Sequence, residues 1–181
     1  MIIVADIIHN LKITSCLRFT QSFNRPNLRY KLIPKTKNCI LDIVSFINTR
    51  YAGQSGIIYC FSKADCEKMT AQLGKYRINA EFYHAGLVPR DRQAIQTRWA
   101  KNETQVIVAT IAFGMGIDKA DVRFVIHNTI PKSLEGYYQE TGRAGRDGLD
   151  STCILYYAYS DKNRVSTLRR KPIYLSLSFC L

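Results

Sequence analysis

The stretch QETGRAGRDG, Gln139 to Gly148, sets two arginines among three glycines. A guanidinium is a planar fork of donors that stays charged and matches phosphate oxygens in pairs. Continued as a helix, Gln139, Arg143 and Arg146 follow the i, i+4, i+7 spacing and share one face. Glycines at 142, 145 and 148 remove side chains that would hold another surface away, so a phosphate or a neighbouring domain can approach the backbone. The same residues also fit a surface helix closed by a glycine cap, with its arginines in salt bridges. The stretch alone leaves both readings open.

Two further groups carry chemistry. In GMGIDK, Gly114 and Gly116 permit a tight loop after a strand, where open α/β sheets bind ligands. Asp118 then either accepts from a ribose hydroxyl or pairs with an arginine of the first stretch. Elsewhere, strand-to-helix junctions at Ser62-Lys63, at His84-Ala85-Gly86 and at Thr110 present backbone N–H groups and small polar side chains along one rim. Helix starts of that kind bind phosphates, gripping a nucleic-acid backbone with little sequence preference. Plainer roles exist for each: an N-cap for Ser62, a solvated charge for Lys63, a core or capping histidine for His84, a strand-end hydroxyl for Thr110.

The elements that must position these residues alternate in period. CILDIVSFI places Ile40, Val44 and Ile47 on one helical face, and SGIIYCF follows as a buried strand. SKADCEKMTAQLGKY has Cys66, Met69 and Leu73 at helical spacing behind Ser62 as N-cap, with Asp65 completing a variant capping box. AEFYH is a strand. VPRDRQAIQTRWAKN is a helix with Pro89 in its first turn and Ile95 and Trp99 toward the core. TQVIVAT and VRFVIHN are buried strands, SLEGYYQETGRAG a helix, STCILYYAY a last strand and SDKNRVSTLRR a basic terminal helix. Alternation of this kind defines an α/β fold, a parallel sheet with helices on both faces in one domain. Tyr59, Tyr83 and Trp99 are core by spacing rather than stacking platforms. Residues 1–12 read as an amphipathic helix and SFNRPNLRYKLIPK as an extended basic connector.

Composition agrees with a folded domain. The chain has 181 residues, 46% hydrophobic and 22% charged, and Lys plus Arg number 26 against 14 for Asp plus Glu, a net charge of +12. That balance favours polyanionic partners, nucleic acid first. Six cysteines without a C-x-x-C pair read as reduced thiols in an intracellular compartment, with no zinc site expected. No apolar run has the length of a membrane span.

In order and spacing, SFNRPNL, IIYCFSKADCE, YHAGL, VIVATIAFGMGIDKADVRFVIH and PKSLEGYYQETGRAGRDG resemble the second RecA-like domain of RecQ-type DNA helicases, over about residues 5 to 165. The resemblance divides the chain into residues 1–20, a remnant of the first RecA-like domain and linker, residues 21–165, the second RecA-like domain, and residues 166–181, an atypical tail. It implies a motor in which ATP lies between two RecA-like domains and single-stranded or partly duplex DNA crosses both. ATP and Mg2+ are then held mainly by the first domain, because the Walker A loop and the Asp-Glu-x-His motif do not occur in this sequence. By resemblance Arg146 is the arginine finger, Arg143 a second phosphate or interdomain contact, and Gln139 a partner coupling the cleft to DNA. Asp118, Gly114 and Gly116 belong to the nucleotide site; Ser62, Lys63, His84, Gly86 and Thr110 to the DNA track. The implied activity is 3′ to 5′ DNA unwinding in repair and recombination, in the nucleus of a eukaryote or the cytoplasm of a bacterium, with this chain alone inactive. A non-catalytic nucleic-acid-binding fragment and an RNA helicase are the competing readings.

Overall fold

The computed structural model describes residues 2–12, 24–114 and 117–161. Along them run α1 (Ile2–Asn10), β1 (Leu28–Pro34), α2 (Cys39–Arg50), β2 (Gly56–Tyr59), α3 (Lys63–Lys75), β3 (Ala80–Tyr83), α4 (Pro89–Ala100), β4 (Val106–Ala109), β5 (Phe124–His127), α5 (Leu134–Thr141) and β6 (Ser151–Tyr157). The six strands form one sheet in the order β1-β6-β5-β2-β4-β3, and every neighbouring pair is parallel.

Parallel strands need a return connection across a face, so both faces are covered and the inner strands are apolar throughout. All four residues of β2, β4 and β5 are buried. Alternation divides them between two cores. Ile58, Val108 and Ile126 meet Ile43, Ile47, Cys66, Met69 and Leu73 from α2 and α3. Ile57, Tyr59, Ile107 and Val125 meet Ile95 and Trp99 of α4 together with Phe113, Ile117, Val122 and Ala144. The second core is covered by α4 and by two connecting segments, those that carry Phe113, Ile117 and Val122 and that carry Ala144.

Helix starts follow the sequence closely. Ser62 caps α3, accepting from the Asp65 amide at 3.1 Å and donating to its carboxylate at 2.7 Å. Pro89 occupies the first turn of α4, where its missing N–H costs nothing. On α2 the buried face is Cys39, Ile43, Val44 and Ile47, with Ile40 at its margin.

Two expectations are corrected. The connector SFNRPNLRYKLIPK contains a strand: β1 pairs with β6 along its whole length, Leu28 opposite Ser151 through Pro34 opposite Tyr157. It is an edge strand in which only Leu28 is buried, so its pairing rests on backbone groups and leaves no apolar alternation to read. The second correction concerns α5, which ends at Thr141, before both arginines. Of the basic terminal helix, residues 162 onward lie outside the described residues, as does the tail.

Candidate functional site

Parallel β4, β5 and β6 force two segments to run from carboxyl to amino ends of the sheet on the same face. Residues 110–114 and 117–123 lie between β4 and β5, and residues 142–150 continue α5 down to β6. They lie side by side: the Gly145 amide donates to the Val122 carbonyl at 2.9 Å and the Asp147 amide to the Ala120 carbonyl at 3.3 Å. The chemistry of both motifs is brought together along this seam.

The helix stops for a physical reason. Gly145 and Gly148 adopt φ of +56° and +83°, in the left-handed region that glycine enters without penalty. The amides of Gly145 and Asp147 then find the tertiary carbonyls of Val122 and Ala120 instead of helical ones. Gln139 remains exposed on α5, while Arg143 and Arg146 sit on successive turns, not on its helical face.

Arg146 Nη1 donates to Asp118 Oδ1 at 2.8 Å. The pair is open to solvent, with side-chain exposures of 38% for Arg146 and 85% for Asp118. Arg143 lies deeper. A Cβ at Gly114 would come within 2.6 Å of Arg143 Nη2, so the bare backbone there is what admits the guanidinium. Its Nε is buried and has no hydrogen-bond partner among the described residues. The Arg143 guanidinium also lies beside the Tyr59 hydroxyl, which donates to the Phe113 carbonyl at 3.0 Å. Burial pushes the Tyr59 phenol well above its ordinary range, and the Arg143 charge offsets part of that rise. Gly116 lies outside the described residues.

The loop is held from several sides. Arg123, nearly buried, places Nη2 at 2.6 Å from each carboxylate oxygen of Asp147. The Arg123 hydrogen bond first, and then the Leu149 amide donating to Asp147 Oδ1, hold the Asp147 carboxyl below its ordinary range. Lys119, next to Asp118, is an anchor rather than a free cation: its Nζ reaches Asn102 Oδ1 at 2.8 Å, Asp121 Oδ1 at 2.9 Å and the Ala100 carbonyl at 3.3 Å. Its stem lies against Trp99, with Nζ 5.6 Å from the ring centre. A lysine next to Asp118 invites assignment to phosphate; here three acceptors already hold it.

The DNA-track candidates stand elsewhere, on the carboxyl rim. Register aligns Tyr59, Ala109 and Tyr83 across β2, β4 and β3, so the residues that follow each strand share one edge. Ser62 is used in the α3 cap. His84 turns inward: Nδ1 accepts from the Gly86 amide at 3.2 Å, Nε2 pairs with Glu67 Oε1 at 3.2 Å, and the ring stacks on Phe82. Thr110 Oγ1 accepts from the Ala112 amide at 3.4 Å. Lys63 is exposed, its chain crossing close to Gly86. The rim therefore offers a lysine and the start of α3, with His84 shaping the turn that carries Gly86.

As a receiver of ligands, the seam offers two guanidiniums, Arg146 held by an exposed carboxylate and Arg143 behind it, and paired planar donors suit the oxygens of a polyphosphate. Among the described residues no three His, Cys, Asp or Glu side chains gather to hold a metal ion, and no helix is long and apolar enough to cross a membrane. Cys39, Cys60, Cys66 and Cys153 are buried free thiols, while Cys16 and Cys180 lie outside the described residues.

This architecture is that of a RecA-like helicase domain. Solved structures that align with it include S. cerevisiae Dbp5 L327V bound to Gle1 H337R and IP6, with a TM-score of 0.71 and 18% identity over 92% of this chain and 44% of that one. E. coli DEAD-box protein SrmB bound to regulator of ribonuclease activity A aligns with a TM-score of 0.64 and 23% identity, over 81% of this chain and 86% of that one. At such identities the likeness establishes the fold. Residues 35–148 match the helicase conserved C-terminal domain, so the chain belongs to that family, and its relatives make it RecQ-type. ATP-dependent DNA helicase Q1 of Mus musculus is 49% identical over 98% of this chain and 29% of its own length. ATP-dependent helicase SGS1 of Saccharomyces cerevisiae is 52% identical over 92% of this chain and 12% of its own. The chain thus spans less than a third of the curated relatives it matches.

Proposed function

We propose that this domain is the second motor domain of an ATP-dependent DNA helicase moving 3′ to 5′, supplying Arg146 as the arginine finger and Lys63 with the α3 start as part of the DNA track. ATP and Mg2+ are held mainly by a first RecA-like domain, and this chain alone does not hydrolyse ATP. The relatives' printed names supply the substrate and the nucleotide, and their eukaryotic sources support a nuclear location; the unwinding proposed serves repair and recombination. Bound ATP supplies the γ-phosphoryl group and its charge; everything else is positioning and electrostatics from the protein.

The observation that carries this reading is the open Arg146–Asp118 pair beside the buried Arg143. An exposed ion pair contributes little stability, so exchanging the Asp118 carboxylate for a phosphate oxygen is cheap. Arg143, wedged over Gly114, stays fixed and presents a second cation to the same seam. Asp118, once released, is free to accept from a ribose hydroxyl. Gln139, exposed on the helix that enters the loop, is the group placed to couple this seam to the DNA side.

The test uses a chain in which this domain is joined to a Walker-loop motor domain. Arg146→Ala is expected to lower DNA-stimulated phosphate release by at least about a hundredfold, a cautious share of the effect of arginine fingers elsewhere. DNA affinity and melting temperature are expected to stay near those of the parent. Arg146→Lys is expected to rescue poorly, since an ammonium lacks the planar fork. Near-normal turnover in a folded Arg146→Ala protein would leave the salt bridge to Asp118 as the function of this arginine and move the finger assignment to Arg143.

A further inference from the structure

Three backbone carbonyls of the loop around Arg146, those of Ala144, Gly145 and Leu149, accept from two side chains at the start of the domain. Arg25 Nη2 donates to the Ala144 carbonyl at 3.0 Å and to the Gly145 carbonyl at 2.7 Å. Asn27 Nδ2 donates to the Gly145 carbonyl at 2.8 Å and to the Leu149 carbonyl at 3.0 Å. Both donors are only partly exposed. Asn27 precedes β1, whose first residue Leu28 sits opposite Ser151, so the strand pairing itself delivers the amide to the loop.

We infer that Arg25 and Asn27 form a clamp that positions the finger loop, making them positioning residues for ATP hydrolysis although neither touches the reacting atoms. The inference rests on the reading of Arg146 as the finger. A turn with two glycines at positive φ has many alternative paths once its carbonyls are free. Amides at 145 and 147 fix one side of the loop against residues 120–122, and the clamp fixes the other. Arg146 is thus held between two rows of hydrogen bonds, and only its side chain is left to move. A finger works only when its guanidinium reaches the phosphate within a fraction of an ångström. The clamp also explains the fit at Gly145: a Cβ there would lie 2.5 Å from Asn27 Nδ2. Contacts spanning about 120 residues also link the loop to the chain entering the domain, the side from which a first motor domain would be tethered.

Arg25→Ala and Asn27→Ala in the two-motor protein test this, each also made with Arg146→Ala. Misplacement by about an ångström lowers rates on the order of a hundredfold, so each single variant is expected to lose at least about tenfold in kcat, with KM for ATP nearly unchanged. Combined with Arg146→Ala, neither is expected to lower turnover further, because a clamp acts only through the finger. In the 181-residue chain, amide exchange at Gly145 and Asp147 is expected to accelerate in Arg25→Ala while β5 stays protected. Equal proportional losses with and without Arg146, or turnover within about twofold of the parent, would overturn the clamp. Should Arg25→Ala fail to fold, Arg25→Lys, with one ammonium for two carbonyls, gives the same comparison. If Arg146→Ala alone leaves turnover intact, the finger reading falls and the clamp with it; if only the clamp variants are silent, the finger reading stands.

Discussion

Arg25 and Asn27 reach the carbonyls of the arginine loop from 118 to 122 residues away in the sequence and Arg123 reaches Asp147 from 24, whereas the side chains that shape the proposed DNA rim come from 2 to 17 residues away. Both regions use the same kinds of group, backbone carbonyls and amides met by short polar or cationic side chains. The difference follows the work proposed for each. Local caps give a helix start and a turn, sufficient to grip a uniform sugar-phosphate track through its charge. Placing one guanidinium against one phosphate requires the loop to be referenced to the sheet as a whole, and only distant partners do that.

If this contrast is right, damage to the two regions should differ in kind, and its size should fall in a set order. The largest stability effect is expected on the loop. Asp147→Ala leaves the Arg123 guanidinium buried with only weak carbonyl acceptors, and its cost should be about 2 kcal/mol, less than for a fully enclosed pair because Asp147 retains some access to water. Thermal unfolding gives the number and pH gives its origin. The Asp147 carboxyl is depressed in the folded state, so its contribution is complete above the ordinary aspartate pKa and disappears as pH falls through the lowered value. The melting-temperature gap between parent and Asp147→Asn is therefore expected to close on acidification. A gap independent of pH would mean that the pair is not its source.

Gly145→Ala comes next. Besides its left-handed φ, the new methyl would meet the Leu149 carbonyl and Ser151 Oγ at 2.8 Å each, so a loss of about 1 to 2 kcal/mol is expected, together with reduced turnover in the two-motor protein. On the rim the effects should be smaller and separable. Ser62→Ala removes the α3 cap at a cost of about 1 kcal/mol and should change DNA affinity only slightly. Lys63→Ala should do the reverse, leaving the melting temperature alone while the slope of log affinity against log salt falls by about 0.7 for single-stranded DNA. An unchanged slope would remove Lys63 from the track.

The same contrast decides what could be read in advance. Helices α2 to α4 and strands β2 to β6 announce themselves through apolar runs, the spacing of Cys66, Met69 and Leu73, and a Ser62 cap that forms as written. Strand β1 does not, because an edge strand held by backbone pairing needs only Leu28 inside. Gln139, Arg143 and Arg146 were placed on one helical face by local periodicity, yet the loop takes its shape from carbonyls of Ala120 and Val122 that no window around residue 143 contains. Arg25, Asn27 and Lys119 were legible only as charges or connector residues. Their partners are distant, and short-range pattern carries no trace of them.

The most direct test of the division of labour is a crossed measurement on Arg146→Ala and Lys63→Ala in the two-motor protein, with ATP turnover at saturating single-stranded DNA and DNA affinity taken on the same preparations. Arg146→Ala is expected to lose at least about a hundredfold in turnover with DNA affinity retained. Lys63→Ala is expected to weaken DNA binding, most at low salt, with turnover at saturating DNA retained. If each variant instead lowers both quantities by similar factors, the loop and the rim are not separate devices and the account is wrong.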